Sequence, residues 1–292
     1  GGTLGILIPP SVILVIYAIL AEQNIAKLFV AALIPGILAA LGYILAISIW
    51  MRVWPNAAAV SPRVAWPDRL KMLGTVWPVV AIFAGVVGGI YGGIFTPTEA
   101  AAVGAAGTGL IAWSSGEMSW GRLQEAILST ASSTAMIFFI ILAAGIYNNF
   151  LSLTQLPQST AAWVGEQGFS PWLVLTLVLL MYLLFGCIMD SLSMVLLTVP
   201  IVFPIVSALD FGMSYNDFGL WFGILVLIVV EVGLITPPVG LNLFIINNMA
   251  KTTPISETYR GALPFVVTDL IRVVFLTCFP SITLWLVWVM GG

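Results

Sequence analysis

Long uncharged apolar runs, separated by short polar connections, set the pattern of this chain. The first complete run extends from Leu28 to Trp50, and others cover 72–95 and 126–153. A stretch of about 20 apolar residues is what a helix needs to cross roughly 30 Å of hydrocarbon. Residues 100–113 are mostly Ala and Gly, a composition that lets membrane helices approach closely. Residues 171–209 are apolar except around Asp190, too long for one span at about 1.5 Å per residue, so a break is predicted between Gly186 and Ser193. Residues 218–250 carry Glu231 and the interruption Thr236-Pro237-Pro238, and 262–290 reads as one final segment. Polar connections are predicted at 51–71, which holds three prolines and suits a stretch lying along the interface, and at 114–125, 154–170, 210–217 and 251–261.

Composition narrows the class. Of 292 residues, 61% are hydrophobic and 7% charged, with a mean hydropathy of +1.13; soluble domains carry about 25% charged residues. A soluble enzyme, a nucleic-acid binder and a disordered chain are excluded. With no histidine, a His-based triad, a His-ligated zinc and an imidazole relay are excluded within the chain. Cys187 and Cys278 lie in apolar runs and offer neither metal spacing nor a disulfide framework. A transmembrane barrel needs alternating strands of about 10 residues, not long apolar runs. The expectation is an all-α polytopic membrane protein with about eight to ten membrane segments. The chain opens without Met on Gly1-Gly2-Thr3-Leu4-Gly5, which reads as a start inside a membrane segment.

Basic residues orient the segments. Seven of the nine (Arg52, Arg63, Arg69, Lys71, Arg122, Lys251 and Arg260) fall in 51–71, 114–125 and 251–261, so these connections are predicted to be cytoplasmic. Lys27 is the one basic residue in an outer connection, and Arg272 lies in the last segment. With this assignment the opening segment runs outward, 218–250 runs inward, and the 171–209 unit enters and leaves on the outer side.

Two segments resemble each other. Gly5-Ile6-Leu7-Ile8-Pro9-Pro10-Ser11 and Gly233-Leu234-Ile235-Thr236-Pro237-Pro238-Val239 both place Pro-Pro after a glycine inside an apolar run. Their predicted directions are opposite, the mark of an inverted-repeat transporter with its site at the repeat interface. Each proline removes an N–H and clashes with the carbonyl four residues back, here those of Gly5, Ile6, Gly233 and Leu234. In lipid such backbone persists only in contact with protein or a cavity, and its carbonyls suit a hard cation such as Na⁺. Thr236 before Pro237 also fits an N-cap followed by proline, aiming a positive helix end at an anion. The plainer alternative is a proline kink packed by its neighbours.

Asp190 lies between 171–189 and 191–209. Either it sits at the tip of a re-entrant hairpin, where Ser191 and Ser193 make an oxygen-rich site, or it caps a surface turn between two full spans. Thr96-Pro97-Thr98-Glu99 fits a structural capping box. Glu231 reads equally as a ligand, a proton site or an interfacial residue. Asn242, Asn247 and Asn248 are expected to bond across helices, and Asp269 to pair with Arg272 in the last helix.

At this point three motifs carry a resemblance: Gly1 to Ser11, Tyr91-Gly92-Gly93-Ile94-Phe95-Thr96-Pro97-Thr98-Glu99-Ala100-Ala101, and Gly233 to Leu243. Together with Met189-Asp190-Ser191 ahead of Pro200 and Pro204, they are similar to the large membrane subunit of tripartite ATP-independent periplasmic (TRAP) transporters. The resemblance implies an inverted-repeat ion-transporter-type fold with broken helices and a re-entrant hairpin. It places the end of the first repeat in 1–71 (broken helix, one span, cytoplasmic connector). The second repeat then occupies 72–292, with scaffold helices, a hairpin at about 171–209, a broken helix at about 218–250 and a final helix. The family's N-terminal helices and first hairpin are expected upstream of Gly1.

The implied function is elevator-type, Na⁺-coupled uptake of a small organic acid, such as a C4-dicarboxylate or sialic acid, with no enzymatic chemistry. Implied partners are a small membrane subunit, a periplasmic substrate-binding protein, the carboxylate substrate and the lipid bilayer of a bacterial or archaeal inner membrane, with no nucleic acid and no cofactor beyond the coupling ion. By motif position, Gly5, Pro9, Pro10 and Ser11 belong to the first broken helix. Asp190, Ser191 and Ser193 belong to the hairpin tip, and Gly233, Thr236, Pro237 and Pro238 to the second broken helix. Na⁺ is expected at carbonyls near Gly5 and Gly233 and at the side chains of Asp190 and Thr236. Competing readings are a dicarboxylate or citrate carrier without a binding protein, and an intramembrane enzyme or structural membrane partner.

Overall fold

A computed structural model describes residues 2–55, 64–249 and 254–290. Gly1, Arg63 and Lys251, named above, lie outside the described residues. Every regular element among the described residues is a helix: α1 (Gly2–Leu7), α2 (Val12–Leu20), α3 (Ile25–Val53), α4 (Trp66–Tyr91), α5 (Pro97–Ser114), α6 (Trp120–Thr154), α7 (Leu156–Glu166), α8 (Pro171–Gly186), α9 (Ser191–Ser207), α10 (Tyr215–Gly233), α11 (Leu241–Met249), α12 (Ile255–Cys278) and α13 (Pro280–Met290). The chain divides into two compact units, Gly1–Val53 with Ile140–Gly292, and Trp54–Phe139. By length and composition, five helices (α3, α4, α6, α10 and α12) can cross a membrane. The other expected segments, among them the two arms of 171–209, are present among the described residues as shorter or less apolar helices. The protein is an all-helical, multi-pass membrane protein.

The first unit is built around α10. Every residue from Phe218 to Gly233 is buried, the pattern of a helix apolar on all sides and enclosed by others. Trp221 Nε1 donates to Leu276 O of α12 at 2.9 Å, and Tyr17 OH of α2 donates to Gly219 O at 2.7 Å. Phe218 stacks on both Phe211 and Phe222. The predicted break in 171–209 is present: α8 and α9 have 16 and 17 residues, joined by 187–190. At 1.5 Å per residue each arm is about 25 Å long, short of a full crossing. Thr198 Oγ1 and Tyr182 OH, 2.9 Å apart, join the arms.

Proline pairs interrupt helices here where single prolines within α3, α4 and α12 do not. Pro35, Pro78 and Pro264 sit inside continuous helix, whereas Pro9-Pro10 separates α1 from α2 and Pro237-Pro238 separates α10 from α11. Two adjacent prolines remove two successive backbone donors, which one turn of helix cannot bridge.

Two expectations need correction. The loop predicted over 154–170 contains α7: Gln155, at φ 52°, turns the chain, and Pro157 in the first turn starts a helix that buries Pro157 and Val164. The single segment predicted over 262–290 is split at Phe279, whose φ of −128° and ψ of 71° lie outside the helical region, as expected for the residue before Pro280.

In the second unit, α4 packs on α5 through small residues. A Cβ at Gly104 would meet Val86 Cγ2 at 3.2 Å, and one at Gly107 would meet Ile82 Cγ1 at 3.6 Å. The capping box is present: Thr96 Oγ1 accepts the Glu99 N–H at 3.3 Å, and Glu99 Oε2 accepts the Thr96 N–H at 2.8 Å. Trp77 and Val79 of α4 and Phe138 and Phe139 of α6 are exposed, an apolar surface suited to lipid or to a protein partner.

Candidate functional site at the hairpin tip and the second chain break

The tip of the α8–α9 hairpin meets the second chain break through backbone. Gly186 ends α8 and Gly233 ends α10. A Cβ built on Gly233 would fall 2.6 Å from Gly186 Cα and 2.7 Å from its carbonyl carbon. One built on Gly186 would fall 2.9 Å from Val230 O. Any side chain at either position would hold the two elements apart, and this is the close approach glycine is suited to.

Polar contacts surround this crossing. Ser191 is buried and donates its hydroxyl to Glu231 Oε1 at 2.7 Å. The Cys187 thiol lies 3.6 Å from Pro237 O and 3.2 Å from Leu183 O. On the other side of the break, Tyr259 OH lies 2.6 Å from Val239 O and 3.2 Å from Pro238 O. In the sequence Glu231 carries three equal readings and Tyr259 none; a carboxylate in an uncharged run is the signal for the first, and nothing local marks the second.

Asp190 is exposed and is the N-cap of α9, its Oδ2 accepting the Ser193 N–H at 3.0 Å. The hydrogen bond that joins Ser193 to Asp190 therefore uses its backbone, not its hydroxyl. Of the three tip residues, Ser191 is the one brought onto the second broken helix.

Thr236 is not an N-cap. Helix α11 starts at Leu241 rather than Pro237, and the Thr236 hydroxyl donates back to Val232 O at 2.5 Å. Residues 237–240 are not helical, and Gly240 lies at φ +55°, so the cap geometry expected from sequence does not form. The carbonyls expected to be freed are also partnered. Gly233 O accepts the Thr236 N–H at 3.0 Å, and Leu234 O accepts the Asn242 N–H at 3.1 Å. Each carbonyl keeps a second lone pair.

At the first break, Ser11 caps α2 by accepting the Leu14 N–H at 3.5 Å, Pro9 is buried and Pro10 exposed. Ile8 and Leu7 O lie against Gly36 of α3. A Cβ at Gly5 would meet nothing within 4 Å, unlike its counterpart Gly233. Among the described residues, no hydrogen bond joins Gly5, Pro9, Pro10 or Ser11 to the hairpin tip.

A cavity of about 510 Å³ touches both broken helices. Thr3 of α1, Tyr43 of α3, Ile235 of the second break, Asn242 of α11 and Thr258 of α12 contribute to its wall. Behind Tyr43 runs a buried polar chain: Thr3 Oγ1 and Tyr43 OH are 3.1 Å apart, Tyr43 OH donates to Asp269 Oδ2 at 2.6 Å, and Arg272 Nη2 pairs with Asp269 Oδ1 at 2.9 Å. The Asp269–Arg272 pairing is the one expected from sequence. Asn247 also bonds across helices, accepting from Thr258 at 2.8 Å. Among the described residues, the buried charged side chains are Glu231, Asp269 and Arg272, two carboxylates against one guanidinium.

Comparison with known proteins gives this arrangement a family. The model of the tripartite ATP-independent periplasmic transporter DctM component matches residues 1–282. The chain is 37% identical over 284 residues to the C4-dicarboxylate TRAP transporter large permease protein DctM of Pseudomonas aeruginosa, covering 97% of this chain and 64% of that protein. It is 32% identical over 302 residues to the protein of the same name from Rhodobacter capsulatus, covering 97% and 66%. It is 29% identical over 286 residues to the sialic acid TRAP transporter large permease protein SiaM of Vibrio cholerae, covering 96% and 64%. The chain thus spans just under two thirds of the length of these curated relatives. A helical hairpin docked on a Pro-Pro break, in a chain matched over nearly its whole length, belongs to the DctM component family of tripartite ATP-independent periplasmic transporters.

Proposed function

We propose that this chain forms part of the permease of a Na⁺-coupled secondary transporter that imports a small organic acid, a C4-dicarboxylate, sialic acid or a similar carboxylate. The observation that carries the reading is the hairpin tip seated on the second chain break, where Gly186 meets Gly233 and Ser191 meets Glu231. The Ser191 hydroxyl, the Glu231 carboxylate and Pro237 O lie at this crossing, and oxygen is the ligand type a hard cation takes. The relatives' printed names support the carboxylate substrates. A periplasmic binding protein delivering the acid and a small membrane subunit beside the apolar faces complete the proposed assembly, in an inner membrane. The two breaks, read as inverted repeats, are the basis for proposing an elevator-type movement.

The test is Asp190→Asn in the complete subunit, reconstituted with its membrane partner and binding protein in proteoliposomes under a Na⁺ gradient. Asn keeps the cap on Ser193, and Asn and Asp are comparable caps, so folding should be retained. Uptake is expected to be lost with the charge. Near-normal, fully Na⁺-dependent uptake would reduce Asp190 to a helix cap.

The proposed orientation places the 51–71 and 251–261 connections in the cytoplasm and 154–170 outside. A single cysteine replacing Gln158 is expected to react with an impermeant maleimide added from the periplasmic side. Reaction from the cytoplasmic side alone would reverse the assignment.

A further inference from the structure

We propose that Glu231 is a positioning residue: through Ser191 its carboxylate latches the hairpin tip onto the second chain break. The role rests on the reading of that crossing as the ion site, since a latch there sets how long the site stays assembled.

Packing alone does not account for a carboxylate at this place. Glu231 lies two residues before Gly233, in a helix where all residues from Phe218 to Gly233 are buried, and its own exposure is 3%. An unpaired carboxylate is costly to keep in such surroundings, and an aliphatic side chain would fill the volume without that cost. The basic residue of the buried core, Arg272, is taken by Asp269. What Glu231 does have is the Ser191 hydroxyl at 2.7 Å. Ser191 is the first residue of α9, directly after the cap Asp190, so this bond ties the first turn of α9 to the last turn of α10. A hydrogen bond to a carboxylate is stronger than a neutral one, yet it is a single bond. Glu231 Oε2 is buried without a partner. Beside the backbone packing of Gly186 on Gly233 and the weak Cys187 thiol contact to Pro237 O, this bond is the strong directional contact between the tip and α10, and it can be released and remade.

Cys187 reports on the latch directly. It is a free cysteine, 2% exposed, with its sulfur against Pro237 O. Undocking of the tip exposes it. The measurement is the rate of Cys187 alkylation by N-ethylmaleimide in the complete purified subunit, with its other cysteines replaced by serine. Glu231→Ala and Ser191→Ala are each expected to speed the reaction about tenfold, the factor equivalent to losing one hydrogen bond to a charged group. The double variant should react no faster than either single one, because both remove the same contact. Glu231→Gln keeps a carbonyl acceptor for Ser191 but makes the bond neutral, so its rate should fall between those of the parent and Glu231→Ala. A cysteine at Val206, buried in α9 away from the tip, should stay unreactive throughout. An unchanged rate in Glu231→Ala, additive rates in the double variant, a Gln variant as fast as Ala, or equal acceleration at position 206 would each overturn the latch. The ion reading is separated by adding Na⁺ to the parent: slowing of Cys187 alkylation supports it. Absence of a Na⁺ effect together with coupled Glu231 and Ser191 variants would remove the ion reading and leave the latch.

Discussion

Replacing Gly233 by alanine is expected to undock the hairpin and abolish uptake. The new Cβ would lie 2.6 Å from Gly186 Cα, 2.7 Å from Gly186 C and 3.0 Å from Leu183 O, all backbone atoms. No flexible side chain is there to yield, so α8 and α10 must separate. Overpacking of this kind costs about 1–3 kcal/mol and sometimes more, and the separation also stretches the Ser191–Glu231 bond. Gly186→Ala should behave alike, its Cβ meeting Val230 O at 2.9 Å. Gly145→Ala is the control: nothing lies within 4 Å of its Cβ, and alanine is the better helix former by about 1 kcal/mol. Uptake and thermal unfolding of the complete subunit are the measurements. A Gly233→Ala variant with unaltered uptake and unfolding temperature would show that the close approach is not required.

Arg272→Ala is expected to have the second large effect, on stability rather than on ion dependence. Asp269 is 2% exposed and holds two partners, Arg272 and the Tyr43 hydroxyl. Removing the guanidinium leaves a buried carboxylate with one neutral donor. Breaking one side of a buried ion pair costs about 3–5 kcal/mol, mostly as the penalty for the charge left behind. Adding Asp269→Asn removes that charge and should recover a large part of the loss. The measurement is the fraction of folded protein and its unfolding temperature for both single variants and the double. A double variant as unstable as the sum of the singles would mean that the two side chains act independently.

The contrast between these two sites and the local features shows what could be read from the chain before its structure. Pro9-Pro10 and Pro237-Pro238 interrupt helices where the sequence says they must, because the missing donors are covalent properties of the residues. The capping box at Thr96–Glu99 and the Asp269–Arg272 pair also formed as read, since partners three residues apart on a helix meet without help from the rest of the fold. That 171–209 must break followed from length, since one helix there would outrun a bilayer; the stretch from Gly186 to Ser193 was the place expected, and the structure puts the break at 187–190.

Where the structure departs from the local pattern, the cause lies in the surroundings. Thr236 before Pro237 had the composition of an N-cap, but the following residues do not continue as helix, and its hydroxyl closes the end of α10 instead. Residues 154–170 looked polar enough for a loop, yet burial of Pro157 and Val164 supports a helix there. A cap or a helix of 11 residues is marginal in isolation, so its surroundings decide.

By itself, then, the sequence determined the membrane class, the positions of the two Pro-Pro breaks and the turn at the hairpin tip, all consequences of apolar run length and of missing N–H groups. Tertiary structure alone decided that Gly186 faces Gly233, that Ser191 rather than Asp190 reaches the second break, and that Glu231 receives it. Ser191 and Glu231 are 40 residues apart in sequence, and nothing in the local pattern of either specifies the other. Their meeting depends on which faces of α8, α9 and α10 pack, and that choice is made by the shape of whole helices, down to the absence of two Cβ atoms where the backbones cross.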